Sequence, residues 1–154
     1  MPAGRTRVLC PVDFSRASRV ALRHAADVAH ASGGTVDVLF VNDPLLTAAA
    51  AAAYDTRALA RNVEIALRAF VRRTLSSTPS RARATTCLTA LGRPAREIVK
   101  AARQRRADLI VMGSHGLTGV RKLMLGSVTE EVLKTAAIPV LVVPPGAARA
   151  QRRT

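Results

Sequence analysis

Five short runs rich in β-branched residues alternate along this chain with longer segments whose apolar residues recur every three or four positions. The runs are "RVLCPV" (Arg7 to Val12), "TVDVLFV" (Thr35 to Val41), "TTCLTAL" (Thr85 to Leu91), "ADLIVMG" (Ala107 to Gly113) and "PVLVVP" (Pro139 to Pro144). Most are apolar at nearly every position, as strands covered on both faces are. Between the first two, Ala17, Val20, Ala21, His24, Ala25 and Val28 mark a helix from Ser15 to about Ser32, with Ser15 as N-cap and Gly33-Gly34 as its stop. Leu59, Val63, Ala66, Leu67, Phe70 and Thr74 mark a second, Pro94 opens a third, and a fourth runs from Ser127 to about Ala136. The order β-α-β-α-β-α-β-α-β with right-handed crossovers makes an α/β fold. It is an open, doubly wound, five-stranded parallel sheet of order 3-2-1-4-5 with helices on both faces.

At 154 residues the chain has the size of one domain, expected over 1–145, with a basic, aperiodic tail at 146–154 expected to be disordered. Asn42 to Asp55 reads as a loop with at most a short alanine-rich helical turn, long enough for a lid or an adaptable crossover. "TTCLTAL", the least apolar run, belongs near a sheet edge, and "ADLIVMG", the most apolar, in its centre. No run approaches the roughly 18 apolar residues of a spanning helix. Met1 to Thr6 lacks the character of a signal peptide. Cys10 and Cys87 form no metal or redox spacing. Two strands apart, at roughly 9–10 Å, they exceed the reach of a disulfide, so each reads as a small core residue in a reduced, cytoplasmic setting.

In such a sheet, ligands bind beyond the carboxyl ends of the strands where the strand order reverses, here between the first and fourth. The segments leaving those strands are "PVDFS" and "GSHGLTG". One supplies an acid, Asp13. The other opens a stretch holding four of the nine glycines: Gly113, Gly116, Gly119 and Gly126. Without Cβ atoms, Gly113 and Gly116 would let main chain approach a phosphate and take positive φ. Gly126 and Ser127 lead into a helix whose free amides and positive dipole end favour an anion. A competing reading exists, because Ser127 and Glu130 have the spacing of a capping box that would occupy those amides. Asp13 has a structural alternative too, capping the first helix together with Ser15. Neither a P-loop nor a dinucleotide fingerprint is present.

The spacing Gly113-x-x-Gly116-(nine residues)-Gly126-Ser127 resembles the ATP-binding signature of the universal stress protein family. "PVDFS", "GRPAREIV", "ADLIVMGSHG", "GSVTEEVL" and "PVLVVP" extend the resemblance over nearly the whole chain in the same order. It implies an adenine-nucleotide alpha-hydrolase-like fold, a cytoplasmic dimer, and ATP with Mg²⁺ or Mn²⁺ as ligand. Carried over by position, it implies adenine and ribose contacts from Pro11, Val12, Asp13 and the backbone of Val41. It implies ribose and phosphate contacts from Met112, Gly113, Ser114, His115, Gly116, Leu117, Thr118 and Gly119. Phosphate contacts fall to Gly126, Ser127, Val128 and Thr129. Asp13 would suit a ribose hydroxyl or a water on the metal, with no direct metal ligand assigned. Phe40 stands where the family often has histidine, and Leu117 where it often has a basic residue; Arg121 and Lys122 are the nearby cations.

The expected role is a nucleotide-dependent stress-response or signalling module rather than an enzyme, since no second carboxylate or acceptor site accompanies Asp13. The alternatives are slow ATP hydrolysis using Asp13 and His115, or nucleic-acid binding that exploits the net positive charge. A homodimer is expected through the last strand, Pro139 to Val143, an apolar edge without charges. The formal net charge of +14 attracts polyanions. Along the sequence its arginines look scattered, with no basic stripe. Nucleic acid is not the expected partner, because the three Phe and one Tyr offer little for stacking single strands. No membrane partner is expected.

Overall fold

A computed structural model describes residues 4–53, 55–115 and 125–147. The strands are β1 (Arg7–Pro11), β2 (Thr35–Asn42), β3 (Thr85–Leu91), β4 (Leu109–Gly113) and β5 (Val140–Val143). The helices are α1 (Arg16–Ala31), α2 (Pro44–Ala51), α3 (Thr56–Thr74), α4 (Pro79–Arg83), α5 (Pro94–Gln104) and α6 (Ser127–Thr135). All strand pairs are parallel, in the order β3-β2-β1-β4-β5. The doubly wound sheet is therefore as expected, and the reversal falls between β1 and β4.

Alternation along each strand sends side chains to two cores. Val8, Cys10, Val36, Val38 and Val111 meet α1 and α3 on one face. Leu9, Leu39, Ile110 and Met112 meet α5 and α6 on the other. Cys10 pairs in register with Val38, and Val38 with Cys87, so a whole strand separates the cysteines and both thiols are free. At ~25 cal/mol per Å², each fully buried Leu or Val of this kind contributes roughly 1.5–3 kcal/mol.

The N-terminus of α1 follows the sequence closely. Ser15 is the N-cap, its hydroxyl accepting from Ser18 N, and the chain after Ser32 takes a positive φ at Gly33. Pro94 opens α5. "ADLIVMG" forms β4, an interior strand between β1 and β5, and "TTCLTAL" forms the edge strand β3, both as expected. Other expectations need correction. Most of Asn42 to Asp55 is helix α2. Pro44 and the following alanines are a good helix start and body. Asp43 caps it, accepting from Leu45 N at 2.8 Å. No residue of α2 is buried, so it leaves no apolar period to read. Residues 146 and 147, expected in the tail, lie in a turn after Pro144, where Ala147 packs on the core; 148–154 fall outside the described residues.

The scatter of basic residues along the chain is also corrected by the fold. Helices α1, α3 and α4 share one face of the sheet and carry ten arginines, with Asp27 and Glu64 as their acids. On the other face α5 and α6 carry Arg96, Lys100, Arg103 and Lys134 against Glu97, Glu130 and Glu131. Among the described residues, no helix is long and apolar enough to cross a membrane.

Candidate functional site

Beyond the carboxyl ends of β1 and β4 lies a cavity of about 470 Å³, within the range that small ligands occupy. From β1 and the turn after it come Pro11, Val12, Asp13 and, at the start of α1, Ser18. From β2 come Leu39, Phe40 and Val41, followed by Asp43. Helix α5 adds Pro94 and Ile98, and β4 adds Met112 and Gly113 with His115 after it. Gly126, Ser127, Val128 and Thr129 complete the lining.

The β1 turn is built by short polar bonds. Asp13 Oδ1 accepts from Ser15 N at 3.0 Å, and Asp13 N donates to Ser18 Oγ at 3.4 Å. Asp13 thus orders the approach to α1 and also borders the cavity. Between them Phe14 has φ 64°, a left-handed conformation that costs a non-glycine residue roughly 1–3 kcal/mol. Its ring packs against Phe40 at 4.7 Å and Phe70 at 5.5 Å between centroids, which holds it there.

The first turn of α6 decides between the capping box and an open helix end. Gly126 is the N-cap, and among the described residues no side chain caps the helix. Ser127 is the first helical residue, one place too late to cap. Glu130 points elsewhere, its Oε1 accepting from Lys134 Nζ at 2.6 Å, and this partner holds the carboxyl below its usual range. The first intrahelical bond runs from Glu130 N to Gly126 O. The amides of Ser127, Val128 and Thr129 precede it and have no carbonyl one turn back. They sit at the positive end of the helix dipole.

Three of the expected contact residues also hold structural roles. Gly113 does not take positive φ. A Cβ there would stand 3.0 Å from Ala17 Cβ and 3.1 Å from its carbonyl carbon, so the glycine admits α1 against β4. Ser114 does not line the cavity: it is buried behind it, its N donating to Val143 O and its carbonyl accepting from Gly126 N. Thr129 lines the cavity, but its hydroxyl donates to Gly113 O. His115 Nδ1 lies 2.9 Å from Ser114 Oγ, and its Nε2 is buried without a partner among the described residues. Gly116, Leu117, Thr118 and Gly119 fall outside the described residues, as do Arg121 and Lys122.

Ser18, Leu39, Phe40, Asp43, Pro94 and Ile98 line the cavity without having been singled out as ligand contacts. Leu39 and Phe40 immediately precede Val41, and Pro94 and Ile98 belong to the "GRPAREIV" stretch, so both signals were present in the sequence.

The model of the universal stress protein family matches residues 4–144. The chain belongs to that family. Universal stress protein MJ0531 of Methanocaldococcus jannaschii is 58% identical over 52 residues, which are 34% of this chain and 31% of that protein. Universal stress protein MJ0577 of the same organism is 53% identical over 53 residues, 34% of this chain and 33% of the relative. The matched stretch therefore spans about a third of these curated relatives. Among solved universal stress proteins and their kin, MJ0577 superposes with a TM-score of 0.74 at 29% identity, covering 91% of this chain and 96% of its own. UspA from Lactobacillus plantarum gives 0.73 at 27%, covering 90% and 97%. A universal stress protein solved in complex with cAMP shares the fold, with a TM-score of 0.63 at 23% identity over 92% and 98%.

Proposed function

We propose that this universal stress protein binds ATP in the cavity beyond β1 and β4, and that the bound nucleotide sets what the protein contacts in a stress response. The observation that carries this reading is the uncapped N-terminus of α6 in the cavity wall. Three amides and the helix dipole there suit phosphate oxygens. Apolar Val12, Leu39, Val41 and Ile98 suit an adenine ring in the same cavity, and Asp13 or Asp43 suits a ribose hydroxyl. His115 Nε2, buried and without a partner among the described residues, is a polar atom that a ligand would satisfy. A related fold has been solved with cAMP, an adenine nucleotide. Mg²⁺ would be held mainly by the phosphates, with Asp13 as a carboxylate beside them; it would neutralise phosphate charge.

We infer further that two copies join through β5. Val140–Val143 is a sheet edge, and Leu141 is 41% exposed on it. Light scattering should give twice the chain mass, and a charge placed at Leu141 should return it to the monomer.

Titration calorimetry with Mg-ATP tests the main proposal, together with mass spectrometry of whatever small molecule denaturation releases from the purified protein. The expected result is one adenine nucleotide per chain. Protein that releases none and gives no heat with millimolar Mg-ATP overturns it.

A further inference from the structure

The sheet collects positive charge on one of its two faces, away from the cavity's α5 and α6 walls. On α1, Arg16, Arg19 and Arg23 follow one another at three and four residues and are all exposed. At ~100° per residue they lie within ~60° of arc, along ~10 Å of helix. On α3, Arg57, Arg61, Arg68 and Arg72 are likewise exposed and fall within ~60° along ~22 Å. The two helices pack on the same core, with Arg19 over the Phe70 ring and Arg23 Nε donating to Thr74 O, so the α1 cations stand beside the C-terminal half of α3. The acids these helices carry, Asp27 and Glu64, pair with Arg81 and Arg68.

We propose that this face docks the phosphate backbone of duplex nucleic acid, independently of the nucleotide cavity. Guanidinium forks match phosphate oxygens in two-point hydrogen bonds, and every cation of the face is arginine. Duplex binding through phosphates needs no stacking surface. Phe14, Phe40 and Phe70 pack on one another rather than presenting a platform for single strands. A bilayer is the poorer fit. Surface-bound helices insert large apolar side chains, and on these three helices Ile65 is the one such side chain that is strongly exposed among the described residues. Binding would be largely indifferent to base sequence, because phosphates carry none.

The test is fluorescence anisotropy of a labelled 20-base-pair duplex titrated with the full chain over a range of salt. Two charge-matched triple variants are compared with the parent. Arg57→Gln, Arg61→Gln and Arg72→Gln together should weaken binding at least tenfold at low salt. They should also flatten the slope of log affinity against log salt by about 2.7, at roughly 0.9 per lost phosphate contact. Arg96→Gln, Lys100→Gln and Arg103→Gln together, on the opposite face, should change affinity less than twofold. Arg16→Gln on α1 provides a second face variant and should also weaken duplex binding at low salt. Equal losses from the two triples would overturn the proposal, showing a diffuse attraction of net charge. So would failure of the parent to bind duplex, or binding to vesicles of phosphatidylglycerol without binding to duplex.

Discussion

Thr129 Oγ1 donates to the carbonyl oxygen of Gly113 over 3.0 Å, so the first turn of α6 is tied directly to the last residue of β4. The bond fixes where the open helix end stands relative to the strand ends. Thr129 itself is 3% exposed, while the Gly113 carbonyl it meets is part-buried. Thr129→Val keeps the shape and removes the donor. A loss of about 0.5–1.5 kcal/mol in urea denaturation is expected, with Thr129→Ser close to the parent. Equal stability of the Val variant would mean the bond is not holding the turn.

Gly113 was expected to clear space for phosphate, and the packing of Ala17 against it predicts a different consequence. Gly113→Ala would bring a methyl to within 3.0–3.2 Å of Ala17, including its backbone atoms, which cannot rotate away. Overpacking at such a site costs about 1–3 kcal/mol, read as a lowered denaturation midpoint. An unshifted midpoint with lost nucleotide affinity would restore the phosphate role.

Burial pushes the Cys10 thiol far above its ordinary value of 9.0. In the unfolded chain the thiol ionises near pH 9, while in the folded chain it stays protonated. The native state then holds the extra proton, so stability is retained below about pH 9 and falls as pH rises above it. The slope from this group is about 0.7 kcal/mol per pH unit at pH 9 and approaches about 1.4 well above it. Comparing Cys10→Ala with the parent between pH 8 and about pH 10 isolates it: the variant should lose less stability over that interval. Parallel stability curves would show that Cys10 does not contribute.

The strand order and the place of the cavity could be read from the sequence because both follow from periodicity and chain order. Strands at Thr35 and Thr85 and the helix opened by Ser15 announce themselves through local chemistry. Helix α2 does not, because Leu45 and Leu46 are exposed and its residues bury nothing, so no amphipathic signal exists. The reason for Gly113 is equally hidden: Ala17 lies almost a hundred residues away, and only folding brings it near. The arginine stripes were missed for a related cause. Arg16 to Arg23 and Arg57 to Arg72 belong to separate helices, and a shared face emerges only when α1 and α3 settle on one side of the sheet.

Gly126 offers the sharpest separation of stability from binding. It caps α6 with φ −61° and ψ 151°, a conformation open to any residue, yet it has no side chain to satisfy the amides beyond it. Gly126→Asp should place a carboxylate on the amides of Val128 or Thr129 and favour the helix dipole, raising stability by a few tenths of a kcal/mol. The same carboxylate would occupy the donors proposed for phosphate and repel it. A rise in thermal midpoint accompanied by at least a tenfold loss of Mg-ATP affinity is expected in calorimetry. Gly126→Ser, a neutral cap, should stabilise similarly and lose less affinity, which separates charge repulsion from occupation of the amides. A Gly126→Asp variant that binds Mg-ATP as the parent does would move the phosphates away from α6.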